Sequence, residues 1–177
     1  MAEEKKEKWL NYLAMTTVII AVCATLSTFK GGGFSTRSVL AQSQASDQWA
    51  YFQAKSIKGY LYELQKERFE LELMTGKLPD HVAREYRNKI AFYNEKLARY
   101  KAEKEEIERA ARDLEKKRDE AQSHAQSFGM AVIFLQIAIL LSSISALMKK
   151  KPLWIIGLFV ALIGVFYFAN GFLMFLR

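Results

Sequence analysis

The sequence predicts an all-α membrane protein: three transmembrane helices plus a long antiparallel coiled-coil hairpin outside the membrane. Three observations predict it. First, apolar side chains recur at alternating intervals of four and three from residue 86 to residue 128: Tyr86, Ile90, Tyr93, Leu97, Tyr100, Ile107, Ala111, Leu114, Ala121, Ala125 and Phe128, interrupted only by Lys104 and Arg118. This is the heptad period that keeps one stripe of a helix facing a partner helix. Second, charge and apolarity are segregated along the chain. Residues 101–120 comprise fifteen charged and five apolar residues, and residues 153–176 contain no charge, although the hydrophobic fraction of 51% looks ordinary. Third, Thr75, Gly76, Lys77, Leu78, Pro79 and Asp80 have the make-up of a reversal between two helices.

Taken in order, the first unit is residues 1–30, a mixed-charge head followed by an apolar helix over 9–29. That run is about as long as a hydrocarbon core is thick, and Trp9 and Tyr12 suit its interface. An alternative reading of the same run is a cleaved leader. Lys30, Gly31, Gly32 and Gly33 are expected to break the helix, because three glycines make helix the costliest choice. A helical hairpin is expected over 31–127, with legs at 38–74 and 80–127 and a turn at 75–79. Ser35 or Ser38 is a candidate cap for the first leg. The seam expected to face the second leg is Ala50, Ala54, Ile57, Leu61, Leu64, Arg68 and Leu71. The legs would be roughly 55 and 70 Å long, and residues 30–37 would bridge the difference. Opposite charges at i,i+4, such as Glu108 and Arg112, support the exposed face of the second leg. The last unit, residues 128–177, holds two further transmembrane segments joined by Lys149, Lys150, Lys151 and Pro152.

The net charge of +7 does not form a nucleic-acid-binding face. Residues 30–127 carry 19 Lys and Arg against 16 Asp and Glu, and residues 1–9 balance three against three. The remaining charges are Lys149, Lys150, Lys151 and Arg177, beside apolar segments. They read as topology signals: the short, strongly basic loop belongs in the cytoplasm, which puts Met1 there and the hairpin on the other side. Cys23, the single cysteine, lies in the first apolar run and has no partner for an intrachain disulfide.

Residues 45–63, ASDQWAYFQAKSIKGYLYE, resemble the signature of the bacterial domain-of-unknown-function 4337 family. The resemblance continues in His124, Phe128, residues 135–147, the basic turn, and Leu153 with Trp154. It implies a small bacterial membrane protein with a helical middle, hence an inner-membrane location with a periplasmic hairpin. It implies no activity and no ligand residue.

The candidate interaction surface is Asp47, Gln48, Trp49, Phe52, Tyr60 and Phe69, a polar and aromatic set on the first leg. Contiguous apolar surface beyond what one partner helix covers marks an association site. Within the membrane, Gln136, the serines at 142, 143 and 145, and Asn170 suit interhelical hydrogen bonds. Gly157, Ala161, Gly164 and Gly171 share a face that admits a close neighbour. His81 and His124 are far apart in sequence, and no spacing gathers a metal or cofactor site. The expectation is a non-enzymatic structural or scaffolding protein that self-associates among membrane lipids, with no nucleic acid. The alternatives are an oligomeric channel or transporter-like pore, and an accessory subunit of a larger inner-membrane complex.

Overall fold

Long helices follow from a chain with only two prolines, Pro79 and Pro152, each at the start of a helix. The computed structural model describes residues 2–175, with side chains from residue 8 onward; the expectations for Met1, Leu176 and Arg177 lie outside them. Among the described residues there are three helices and no strand: α1 (Ala2–Met74), α2 (Asp80–Met148) and α3 (Lys151–Leu173). Each contains a stretch long and apolar enough to cross a membrane.

The expected break at Lys30 to Gly33 does not occur. α1 runs through all three glycines, and neither Ser35 nor Ser38 starts a new helix. Each glycine costs about 1 kcal/mol relative to alanine in a helix interior. Ending and renucleating the helix would sacrifice a turn of backbone hydrogen bonds and repeat an unfavourable nucleation step. Gly31 adds a packing reason, since a Cβ there would stand 3.0 Å from the Cβ of Phe128. Residues 30–37 therefore rise along a helix and do not form a bridging loop.

The turn after α1 uses Gly76 at φ +65°, a left-handed conformation that glycine adopts without a Cβ penalty. Thr75 Oγ1 donates to the Glu72 carbonyl at 2.7 Å. Pro79 closes the turn. Its carbonyl accepts from the N–H groups of Val82 at 2.9 Å and Ala83 at 3.0 Å. Pro79 thus takes the capping position, and Asp80 lies in the first turn, where a carboxylate meets the positive end of the helix dipole. At the other reversal Lys149 adopts φ 54°, the Lys150 N–H reaches the Ser145 carbonyl at 3.2 Å, and Ser145 Oγ donates to the Lys150 carbonyl at 2.8 Å. Pro152 then occupies the first turn of α3.

The chain divides into two compact units, Met1–Leu40 with Lys117–Arg177, and Ala41–Lys116. In the first, Ile20, Ala24, Ala131, Leu135, Ala138 and Ala161 form a core drawn from all three helices. α3 meets α2 through its small residues in a constant antiparallel register. A Cβ on Gly171 would lie 2.7 Å from Phe128 Cε1, one on Gly164 2.7 Å from Leu135 Cγ, and one on Gly157 3.5 Å from Ser142 Oγ. Each step of seven along α3 is matched by a step of seven back along α2. The glycine face is therefore filled within the chain and is not left for a neighbouring copy.

In the second unit α1 and α2 also run antiparallel in register. The Phe69 ring lies tilted against Tyr86 at 4.7 Å, that of Tyr62 against Tyr93 at 5.5 Å, and Lys55 Nζ lies 5.2 Å from the Tyr100 ring, again in steps of seven. This overturns the seam expected on α1. Ile57, Leu61, Leu64 and Leu71 are 59–65% exposed, and Ala50, Ala54 and Arg68 are exposed as well. The residues that touch α2 are Phe52, Lys55, Tyr62 and Phe69, which with the half-buried Gly59, Lys66 and Leu73 make a second 4-3 series on the opposite side of the helix. The bulky tyrosines of α2 take rings as neighbours, and stacked or tilted ring pairs add about 0.5–1.5 kcal/mol each beyond burial.

Candidate interaction site

The polar and aromatic residues of the second unit are held by its two helices. Trp49 donates its indole N–H to Glu115 Oε1 at 2.9 Å and meets Phe52 edge-on at 5.5 Å. Phe52 in turn lies under the Lys104 ammonium, 5.0 Å from the ring centre. The interruption of the α2 seam at Lys104 is thus filled by a cation over a ring, an interaction of about 0.5–1 kcal/mol at a part-exposed site. Arg118, the other interruption, bonds to Asp119 at 2.8 Å. Phe69 sits between Tyr86 and Tyr93 with Lys89 above it at 5.5 Å. Gln48 is half-buried beside Ile107 in a shallow groove of about 280 Å³, whereas Asp47 and Tyr60 are exposed. The structure therefore brings Trp49, Phe52 and Phe69 into the helix–helix contact and leaves Asp47 and Tyr60 outside it.

Two charged networks tie the helices together. Glu103 accepts from Lys55 across the pair and from Arg99 Nε at 2.8 Å on its own helix. The Lys55 hydrogen bond, then that of Arg99, holds the Glu103 carboxyl below the usual carboxylate range. The same contact raises Lys55. Nearer the turn, Glu72 accepts from the Tyr86 hydroxyl and from Arg68, which lower it, and Tyr86 is raised in consequence. An open groove of about 430 Å³, lined by Lys58, Leu61, Tyr62, Gln65, Tyr93 and Tyr100, runs beside these contacts.

In the first unit polar groups gather at both ends of the bundle. At one end His124 Nδ1 lies 2.7 Å from the Gly171 carbonyl; because a carbonyl only accepts, that nitrogen carries the proton. Phe34 stacks on the imidazole at 4.4 Å, and Asn170 Nδ2 donates to Ser127 Oγ at 3.0 Å. At the other end Trp9 and Trp154 lie 6.2 Å apart, Lys151 stands 5.8 Å over Trp9, and the Trp154 indole N–H reaches Thr16 Oγ1 at 3.2 Å. Gly157, Ala161, Gly164 and Gly171 lie on the face of α3 that meets α2, while Gln136 points away from it. Ser142 Oγ is fully buried against Gly157 with no hydrogen-bond partner.

Asn170 makes the interhelical hydrogen bond expected of it, whereas the sequence named neither Ser127 as its partner nor Gly171 as that of His124, and it missed the inner series of α1. A signal for the last was present. Phe52, Tyr62 and Phe69 keep the same 4-3 interval as the aliphatic series, and Tyr-rich α2 calls for rings opposite. Among the described residues no three His, Cys, Asp or Glu side chains converge as metal ligands do.

No curated protein and no solved structure is similar to this chain. A family model does match, over residues 9–174 and hence nearly the whole length, and the chain belongs to that family, the domain of unknown function DUF4337.

Proposed function

We propose that this chain is a structural, self-associating protein of the bacterial inner membrane, with its three apolar helical stretches in the bilayer and its helix pair acting as a periplasmic coiled-coil hairpin. The observation that carries the reading is the outer face of the second unit, where Ile57, Leu61, Leu64 and Leu71 are exposed although the helix already buries another face. Monomeric soluble surfaces rarely leave an apolar stripe of this length, broken here only at Arg68, and such stripes mark association. The Lys149–Lys151 turn supports a cytoplasmic position for that reversal, and the Trp9, Trp154 and Lys151 cluster supports an interface at the same end. α3, at 23 residues, is about 34 Å long, close to the thickness of a bilayer core. The chemistry is that of a scaffold: charged groups form helix-to-helix ties, and Asn170 with Ser127 and Trp154 with Thr16 bond between helices.

Co-expression of two copies with different tags tests this. Retention of the second copy on resin that binds only the first, after extraction in mild detergent, supports self-association; equal capture by an unrelated tagged membrane protein contradicts it.

A further inference from the structure

α1 of the second unit carries two 4-3 series on opposite faces. The inner one faces α2, whereas the outer one, from Ala50 through Ile57, Leu61 and Leu64 to Leu71, is exposed along its length and borders α2 where Leu61 lines the groove beside Tyr93 and Tyr100. A stripe with this period fits a helix and nothing broader, because the 3.5-residue repeat stays in contact only with a partner that supercoils around it. Membrane-surface helices instead show a wide apolar face edged with Lys and Arg. Here the edges are Tyr51, Lys58, Gln65 and Glu72 on one side and Gln53, Tyr60, Glu67 and Met74 on the other.

We infer that this outer series is covered by the same series of a second copy of the chain, α1 against α1, parallel and in register. The inference rests on the self-association proposed above and names its surface. Copies inserted in one membrane with one topology run α1 in one direction, which favours a parallel pair over an antiparallel one. The charges agree. In the heptad lettering Arg68 falls at a core a position, where a single polar residue fixes register, and in a parallel pair an a residue lies beside the preceding g residue of its partner. Arg68 of each copy, whose Nε already bonds Glu72 of its own helix at 3.1 Å, thereby also meets Glu67 of the other. The edge contact of a parallel pair joins a g residue to the e residue five places later, which sets Tyr60 of one copy at Gln65 of the other. Gln65 borders the open groove of about 430 Å³ that also includes Lys58, Leu61, Tyr62, Tyr93 and Tyr100. An exposed tyrosine and an aromatic groove are thus paired twice, as an isologous contact requires.

Electrostatic repulsion does not oppose the approach, since residues 41–116 hold 15 Lys and Arg against 14 Asp and Glu. The stripe spans about 33 Å of helix. That is short for an isolated coil, but confinement in a membrane raises the effective concentration of the second copy.

Cysteine cross-linking of the full chain in nanodiscs tests the inference. Cys23→Ser removes the only native thiol. In that background Leu64→Cys, at a position that faces itself in a parallel pair, should form a disulfide-linked dimer on mild oxidation. Glu63→Cys, on a neighbouring exposed face, should do so at least tenfold less. Leu61→Glu with Leu64→Glu should convert the wild-type mass to that of a monomer while helical circular dichroism is retained. If the wild type is oligomeric but Leu64→Cys stays unlinked, the outer series is not the interface and self-association uses another surface. A monomeric wild type overturns both this inference and the proposal beneath it. Should the double variant fail to fold, the cysteine pair decides alone.

Discussion

Glycine does three different jobs in this chain, and the same substitution separates them. At Gly164 a methyl group would lie 2.7 Å from Leu135 Cγ and 3.1 Å from its backbone nitrogen. Gly164→Ala should lower stability by about 1–3 kcal/mol, the usual cost of overfilling a close contact, and Leu135→Ala should recover part of it. At Gly32 and Gly33 nothing lies within 4 Å. Alanine there should stabilise a continuous helix by about 0.5–1 kcal/mol per site, whereas Gly31→Ala should bring a loss because of Phe128. Thermal unfolding followed by circular dichroism in detergent reads all four. Equal and null effects at 31, 32 and 33 would mean that the glycines form a loop. Intrinsic propensity taken alone favours that loop. Neither the continuity of a helix on both sides nor the ring facing Gly31 is visible in a propensity scale.

For single helices, the 4-3 series of α2 was legible because it is long and its alternatives are charged. Every member from Tyr86 to Phe128 is buried or half-buried. Burial then continues through Ala131, Leu135, Ala138, Ser142 and Ser145. The interval from Ala125 to Phe128 and the next to Ala131 are both three, a slip that locally overwinds the helix. Uniform hydrophobicity beyond residue 128 hid this continuation. On α1 the two series compete, one aliphatic and one aromatic, and period alone cannot say which faces α2. The charges that cross the pair have a measurable consequence. Glu103 and Glu72 are both lowered below the ordinary value of 4.5 by hydrogen bonds that need the ionised form. A carboxyl lowered by folding contributes stability that is present above its unfolded value and lost as pH falls through the folded one. The helix pair should therefore lose stability on acidification below about pH 4.5, the unperturbed carboxyl value. Glu103→Gln should flatten that dependence and leave neutral-pH stability lower by a modest amount, as for a part-exposed ion pair. A pH series of denaturant midpoints checks this, and an unchanged slope in the variant would remove Glu103 from the account.

At the scale of the whole molecule, two properties read from the sequence meet in the structure: helices long and apolar enough for a membrane, and an antiparallel helix pair held by rings and cross-helix charges. What the sequence could not show was which apolar surface each unit consumes internally. The glycine face of α3 is closed by Phe128, Leu135 and Ser142, so it offers nothing to a neighbour. The outer face of α1 remains, and it gives the central claim its physical basis. The most direct measurement is the mass of the wild-type chain reconstituted in nanodiscs, corrected for lipid and belt protein. The account predicts an integral multiple of the 20.4 kDa chain, two or more copies per disc at chain concentrations well below one per disc. A mass of one chain under the same conditions would contradict it.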